Sequence, residues 1–299
     1  MAISRTQLVK ELEPGLNALF GLEYKRYENQ HAEIYTTESS DRAFEEEVML
    51  SGFANAQVKA EGQGISFDDA QETYTARYTH DTIALAFAIT EEAIEDNLYD
   101  RLASRYTKAL ARSMSNAKQV KAVSPLINGL PSTDNFDSGD AVSLFSTNHT
   151  TVSGTAVKNT LTTQADLNET SLEQALIDIA AMTDERGLRI AAKAVKMIVP
   201  SANQFAAERL LKSQGRTGTA DNDINAVVSM GMVPQGYRVN NFLTDSDSWY
   251  VVTDVPNGMK HFQRAALKTA MEGDFDTGNV RYKARERYSF GVSDYRGIF

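Results

Sequence analysis

The sequence predicts an α+β fold built around one exceptionally long helix. Three patterns carry that expectation. From Thr90 to about Lys121, apolar side chains recur every fourth residue (Ile94, Leu98, Leu102, Tyr106, Leu110, Met114), the period of one helix face. In residues 73–89 large and small side chains alternate, and in residues 280–292 aromatic and basic ones do, which is the period of a strand. A helix of about 30 residues spans about 45 Å, well over twice the ordinary length.

The elements follow in order. Leu8, Leu12, Leu16 and Leu19 form a helical stripe that Pro14-Gly15 interrupts, predicting a short or broken helix. Residues 21–42 are polar and read as an arm. Phe44 to Met49 is an amphipathic piece carrying Glu45, Glu46 and Glu47. Lys59-Ala-Glu-Gly-Gln-Gly64 and Phe67-Asp-Asp69 are the turn-rich part of an extended loop. In residues 73–89 Tyr74, Ala76 and Tyr78 alternate with polar residues. Ile83, Leu85, Phe87 and Ile89 then alternate with Ala84, Ala86 and Ala88. This is one long strand or a hairpin arm leading into a core strand, and its alanine face permits close approach of another element. Thr90 suits an N-cap, with Glu91 and Glu92 in the first turn. The polar side of the long helix is acidic first, then basic, with Arg101, Arg105, Lys108 and Arg112 in a stripe.

Residues 124–168 are a polar loop region with an apolar island at Val142–Phe145. Thr170-Ser-Leu-Glu173 reads as a capping box opening a helix that ends near Gly187. Ala194–Val199 is a buried strand, and Ser201–Gln204 caps a helix running to about Gly215. Short strands are expected at Tyr237–Phe242 and Trp249–Thr253, so residues 137–250 form a compact α+β insert. In residues 280–292, Tyr282, Ala284, Tyr288, Phe290 and Val292 share one face, with Glu286 the exception. Arg281, Lys283, Arg285 and Arg287 line the other.

Composition narrows the function. The 299 residues are 42% hydrophobic, ample for a core, and contain no cysteine, which removes disulfides, thiolate metal sites and thiol nucleophiles. No secretory h-region and no run approaching 18 apolar residues is present. The net charge of -10 argues against a dedicated nucleic-acid binder. That charge is uneven: residues 1–100 hold 7 Lys/Arg against 20 Asp/Glu, and residues 101–299 hold 23 against 20.

Catalytic constellations are weak. Phe136-Asp-Ser-Gly139 and Phe275-Asp-Thr-Gly278 match the tripeptides of aspartic proteases, in which two carboxylates share one proton. Asp137 and Asp276 are therefore the alternative reading, an aspartic-type hydrolase. The long helix is foreign to that nearly all-β fold, and Asp-x-Gly is common in turns. His31, His80, His149 and His261 show no metal-ligand spacing, and no Gly-x-Ser-x-Gly elbow is present. Asp221–Asn225 starts like a calcium loop but has Ala226 and Met232 where glycine and glutamate are needed. No cofactor or metal is expected. The two basic stripes suit docking of the acidic first hundred residues of a neighbouring copy, a solvated face, or nucleic acid.

This order of elements resembles the major capsid (major head) proteins of tailed phages, the Hong Kong 97-type fold. Local phrases share the resemblance: Pro14-Gly-Leu-Asn-Ala-Leu-Phe20, Leu144-Phe-Ser-Thr-Asn-His149, Val199-Pro-Ser201 and Arg285-Glu-Arg-Tyr-Ser-Phe-Gly-Val-Ser-Asp-Tyr-Arg296. The resemblance implies an N-terminal arm (1–45), an extended E-loop (46–80) and a P-domain with a spine helix (81–125). An A-domain (126–253) and P-domain return strands (254–299) complete it. It implies a non-enzymatic shell subunit that assembles with itself in hexamers and pentamers and encloses double-stranded DNA. Further implied partners are a scaffold protein, a portal and a decoration protein, with assembly in the bacterial host cytoplasm, localisation in the virion and no membrane. An encapsulin-like compartment shell is the alternative within the fold. Residues expected at contacts between copies are Lys59, Glu61, Arg101, Arg105, Lys108, Arg112, Arg281, Lys283, Arg285 and Arg287.

Overall fold

The computed structural model describes residues 5–95, 99–131, 136, 138–216, 223–274 and 278–299. From the N-terminus run α1 (Arg5–Arg26), β1 (Thr36–Ser39), β2 (Phe44–Leu50), β3 (Glu72–Thr79), β4 (Asp81–Ile89), a short α2 (Glu91–Glu95) and α3 (Tyr99–Ile127). Then come β5 (His149–Thr150), β6 (Ala156–Val157), α4 (Glu169–Ala180), β7 (Ala194–Val199), α5 (Gln204–Lys212), α6 (Ala226–Ser229), β8 (Tyr237–Val239) and β9 (Tyr250–Thr253). The long strands β10 (Met259–Gly273) and β11 (Val280–Val292) close the chain.

A four-stranded sheet in the order β1-β10-β11-β4 joins the two ends of the sequence. β1 runs parallel to β10, and β11 is antiparallel to both β10 and β4. One face of this sheet carries α1 and α3. Leu16 and Phe20 of α1, Ala103, Leu110, Ala111 and Met114 of α3, and Tyr282 and Ala284 of β11 are buried together there. The other face is bare on its β4 side, where Ala84, Ala86, Ala88, Arg281, Lys283 and Arg285 are all exposed, and covered toward β10, where Phe262 and Gly291 lie against Tyr78 of β3. A second sheet, ordered β8-β7-β9, packs with α4. Its core of Leu172, Ile179, Met197, Ile198 and Val251 is continuous with Val123 and Leu126 near the end of α3 and with Ile298.

The sequence expectations meet this structure unevenly. β11 occupies the expected residues, and β7 does as well. Residues 73–89 are two strands, β3 and β4, that turn at His80, so the hairpin-arm alternative holds. α1 is one helix with Pro14 inside it rather than a broken one. Pro14 and Gly15 lie on its exposed side, and packing of Leu16 and Phe20 outweighs the lost backbone bond. Residues 21–42 are docked rather than a free polar arm, because Ile34 and Tyr35 enter the main core and β1 joins β10. The long helix reaches Ile127, beyond Lys121.

Of its expected stripe, Leu110 and Met114 are buried, and the side chains of Ile94, Leu98 and Leu102 lie outside the described residues. Tyr106 is 47% exposed, whereas Ala103, Thr107, Ala111 and Ser115 are buried. Small side chains bring α3 close to its neighbours, which large ones at the same positions would prevent. The cap of α4 is Asn168, not Thr170: its side chain accepts from Ser171 N–H, and the Ser171 hydroxyl answers the Asn168 N–H. β10 was not read from periodicity and has a counterpart only in the return strands that the resemblance implied for residues 254–299. Asp137 and Asp276 lie outside the described residues.

Candidate assembly interface

The most unusual surface is the hairpin formed by β2, β3 and the segment between them. Its root is tied down by buried polar groups. Lys260 of β10, 7% exposed, bridges Glu38 of β1 at 3.1 Å and Glu47 of β2. Burial disfavours that ammonium, yet its bonds to Glu47 and Glu38 outweigh burial and raise its pKa. Glu47 also accepts from the Ser293 hydroxyl, and the Tyr74 hydroxyl donates to the Ser293 carbonyl at 3.2 Å. Tyr78 packs edge-on against Phe262. It lies so close to Gly291 that a Cβ there would sit 2.6 Å from its ring. His80, at the turn into β4, is held between the Ser40 and Ser289 hydroxyls, each 2.9 Å away.

Beyond this root, residues 53–70 have no strand or helix and are exposed throughout. Val58 is 100% exposed, Phe67 97% and Ile65 75%. Lys59 and Glu61 sit at this tip, fully in the solvent-facing run. Only the returning limb touches the body, where Arg186 donates to the Asp69 carbonyl and lies 3.8 Å from Asp68. Apolar side chains this exposed in one contiguous segment mark a surface completed by another molecule. Residues 44–72 hold seven carboxylates and a single lysine, so the segment is acidic as well as apolar.

The basic rows lie elsewhere. Arg105, Lys108 and Arg112 are exposed along α3, while the Arg101 side chain lies outside the described residues. Arg281, Lys283 and Arg285 are exposed on the bare face of β11, and Arg287 is half-buried, donating to the His80 carbonyl at 3.3 Å. Arg281 pairs with Asp274. Among the described residues no carboxylate forms an ion pair with Arg105, Lys108, Arg112, Lys283 or Arg285. The structure thus keeps the acidic tip and the basic rows apart within one chain.

Four buried polar arrangements escaped the sequence reading. Glu286, the exception on the apolar face of β11, is 1% exposed and pairs with Lys118 of α3 at 3.3 Å. Burial raises its pKa, and the Lys118 ammonium works against that rise. The i+4 spacing from Met114 to Lys118 placed this lysine on the buried side and could have revealed it. Beside this pair, His31 and His261 sit edge-to-face 5.5 Å apart, both against Phe290. Burial, reinforced by the nearby Lys118 charge, lowers His31 to about 4 and His261 to about 3. Farther off, Arg296 binds Glu185 at 2.6 Å and Asp294 at 3.2 Å, all three buried. Asn159 ties the last turn to the loop region, donating to the Leu144 and Tyr295 carbonyls at 2.7 and 3.1 Å.

Among the described residues no three His, Asp or Glu side chains are placed to hold a metal ion, and no helix is long and apolar enough to cross a membrane. What these residues build is a hairpin tied at its root and exposed at its tip.

The comparisons agree. The fold matches the capsid of an empty GTA particle with a TM-score of 0.59, at 13% identity, over 91% of this chain and 89% of that one. The capsid of Myoviridae phage XM1 matches with a TM-score of 0.53, at 11% identity, over 89% and 87%. The virus-like particle from Pyrococcus furiosus matches with a TM-score of 0.50, at 10% identity, over 95% and 96%. Comparison with curated proteins gives no match. At these identities the likeness establishes the fold, which is of the Hong Kong 97 type. The family described as phage capsid protein matches residues 73–299, and the chain belongs to that family. It is a structural subunit of the phage head shell, and neither the encapsulin-like nor the hydrolase alternative is favoured.

Proposed function

We propose that copies of this chain build the icosahedral head as hexamers and pentamers, and that contacts between copies run from acidic hairpin to basic row. In this reading residues 1–45 are the arm, 46–80 the E-loop, and 81–125 with 254–299 the P-domain. Residues 126–253 are the A-domain. The shell encloses double-stranded DNA, which it contacts without sequence preference, and assembles in the host cytoplasm with a scaffold, a portal and a decoration protein. It performs no catalysis. The observation that carries the reading is the separation of charge within the chain. The exposed carboxylates Glu61, Asp68 and Asp69 of the tip, and the exposed Arg105, Lys108, Arg112, Lys283 and Arg285 on α3 and β11, lack one another as internal partners among the described residues. Opposite charges on two surfaces fix register and partner choice in an interface more than they fix affinity.

The test is charge reversal of Arg101, Arg105 and Lys108 together to glutamate. Negative-stain micrographs are expected to show no closed shells, with the circular dichroism of the subunit unchanged. Normal shells from that variant refute the docking. Loss of shells at low salt, recovered at high salt, also counts against attraction, because screening weakens it.

A further inference from the structure

A cavity of about 460 Å³ opens where the end of α3 meets the segment after β6 and the loop that leads into β9. That is the size of a small-molecule site. Its walls are apolar and aromatic, formed by Ile127, Leu130, Phe145, Trp249, Tyr250 and Phe299. The polar ends of two of these rings are already engaged. Trp249 Nε1–H donates to the Ala165 carbonyl at 3.0 Å, and the Tyr250 hydroxyl donates to the Leu126 carbonyl at 3.2 Å. Phe145 packs against Tyr250 with ring centroids 5.3 Å apart. With the indole and phenol donors used, the rings offer a ligand their π faces, which attract cations.

The same cavity is lined by Asp166, Asp245 and Asp247, all exposed. Among the described residues none of the three forms an ion pair, and Lys158, the basic residue just before this segment, is taken by Asp178 at 2.8 Å. Asp245 accepts from the Asp247 N–H at 3.2 Å, and Asp247 from the Ser246 hydroxyl at 3.1 Å, which leaves lone pairs on each carboxylate. No Lys, Arg or His is among the described residues that line the cavity. A ligand must therefore bring the positive charge. A bare metal ion does not suit the donors, because among the described residues no three such groups are placed to share one ion. The three carboxylates are met instead by charges spaced along a chain, and the apolar walls by the carbons between those charges.

We infer that this cavity binds a linear aliphatic polyamine, its ammonium groups at Asp166, Asp245 and Asp247 and its methylenes against Trp249 and the apolar wall. Such a molecule buries its stem and keeps its charged ends at the rim, as a lysine side chain does. An anion is repelled by the rim, and a neutral apolar ligand desolvates carboxylates without pairing them. The site lies apart from the hairpin and the basic rows, so its failure leaves the shell reading untouched.

Trp249 is the single tryptophan of the chain, so its emission reports this cavity directly. Spermidine is titrated into the full chain at constant ionic strength. A saturable change in emission is expected, and Mg²⁺ over the same range should not reproduce it. Asp245→Asn with Asp247→Asn keeps the side-chain oxygens that accept the turn's bonds and removes two charges. Binding roughly two- to thirtyfold weaker is expected, the range for two exposed ion pairs. Asp166→Asn, whose side chain makes no hydrogen bond among the described residues, decides if the double variant does not fold. It should weaken binding by up to about fivefold. Glu61→Gln with Asp69→Asn removes two charges from the distant hairpin tip and should leave the affinity unchanged. The absence of a saturable change overturns the inference, as does unaltered binding in the aspartate variants. An equal response to Mg²⁺, or equal weakening by the tip variant, overturns it too, since either shows attraction to net charge alone.

Discussion

Removing the Lys118 charge tests how the long helix is fastened to the sheet. Lys118→Met keeps the length and apolar stem of the side chain but leaves Glu286, 1% exposed, without its ammonium 3.3 Å away. Its Oε1 already lacks a partner among the described residues. An isolated buried carboxylate takes up a proton rather than stay charged. At pH 7 that protonation costs at most about 3.7 kcal/mol, from an ordinary glutamate value of about 4.3 and 1.36 kcal/mol per pH unit. This matches the roughly 3–5 kcal/mol typical of breaking a buried pair. The sign of the pH dependence follows. Glu286 in the variant binds its proton more tightly folded than unfolded, so the deficit is fully developed well above pH 4.3 and shrinks by about 1.4 kcal/mol per pH unit toward it. Glu286→Gln removes the acid, leaves Lys118 buried without its carboxylate, and costs a similar roughly 3–5 kcal/mol. Lys118→Met with Glu286→Leu leaves neither charge and returns to within about 2 kcal/mol of the unmodified protein. Urea unfolding of the three variants in the same assembly state, at pH 5 and pH 7, reads all of this. Additive losses in the double variant, or a Lys118→Met deficit that does not shrink at pH 5, would refute the reasoning.

Two other perturbations probe the same body. His31 and His261 are buried neutral at about 4 and about 3, so an unfolded chain, titrating near 6.5, binds their protons first. Stability is therefore expected to fall as pH drops through 6.5 toward 4, by roughly 3 kcal/mol from His31 alone; His31→Phe should flatten that slope in pH-dependent melting, and an unchanged slope sinks the assignment. Gly297→Ala places a Cβ 2.4 Å from the Gly258 Cα, backbone against backbone; a loss of about 1–3 kcal/mol is expected from such overpacking, and a neutral result in urea unfolding contradicts it.

The strands with clean period-two patterns were legible because one side of each meets the core. In β11 the alternation of Tyr282 and Ala284 with Arg281 and Lys283 records a sheet with helices on one face only. β10 was not legible. Its burial changes from fully buried residues at Met259–Phe262 to mixed ones beyond, and its register against β11 shifts twice between Gln263 and Lys268. A bulged strand loses the alternation on which such a reading depends. On α3 the stripe held at Leu110 and Met114 but not at Tyr106: hydrophobicity marked that residue, whereas close packing selected the small Ala103, Thr107 and Ala111 beside it. The exposed tip was recognised as a loop from its turn residues, yet the ties at its root were not. Glu47, Lys260 and Ser293 are more than 200 residues apart in pairs that the fold alone unites.

In the proposed contact between copies, the bare sheet face and the hairpin are two halves of one arrangement. An edge such as β4 invites indiscriminate pairing in a lone subunit, and its alanines offer no bulk to obstruct it. The exposed cations one strand in, Arg281, Lys283 and Arg285, supply the missing control. Like rows repel when two bare faces meet, whereas opposite charge favours an acidic partner. Bonds from Glu47 to Lys260 and Ser293 fasten the hairpin root to the sheet. Loosening that root should then damage assembly more than it damages folding. Glu47→Gln keeps the size of the side chain and removes its charge from Lys260. It is expected to give subunits with unchanged secondary structure but fewer or misshapen shells in micrographs, and regular shells at normal yield would show that the root does not direct the tip.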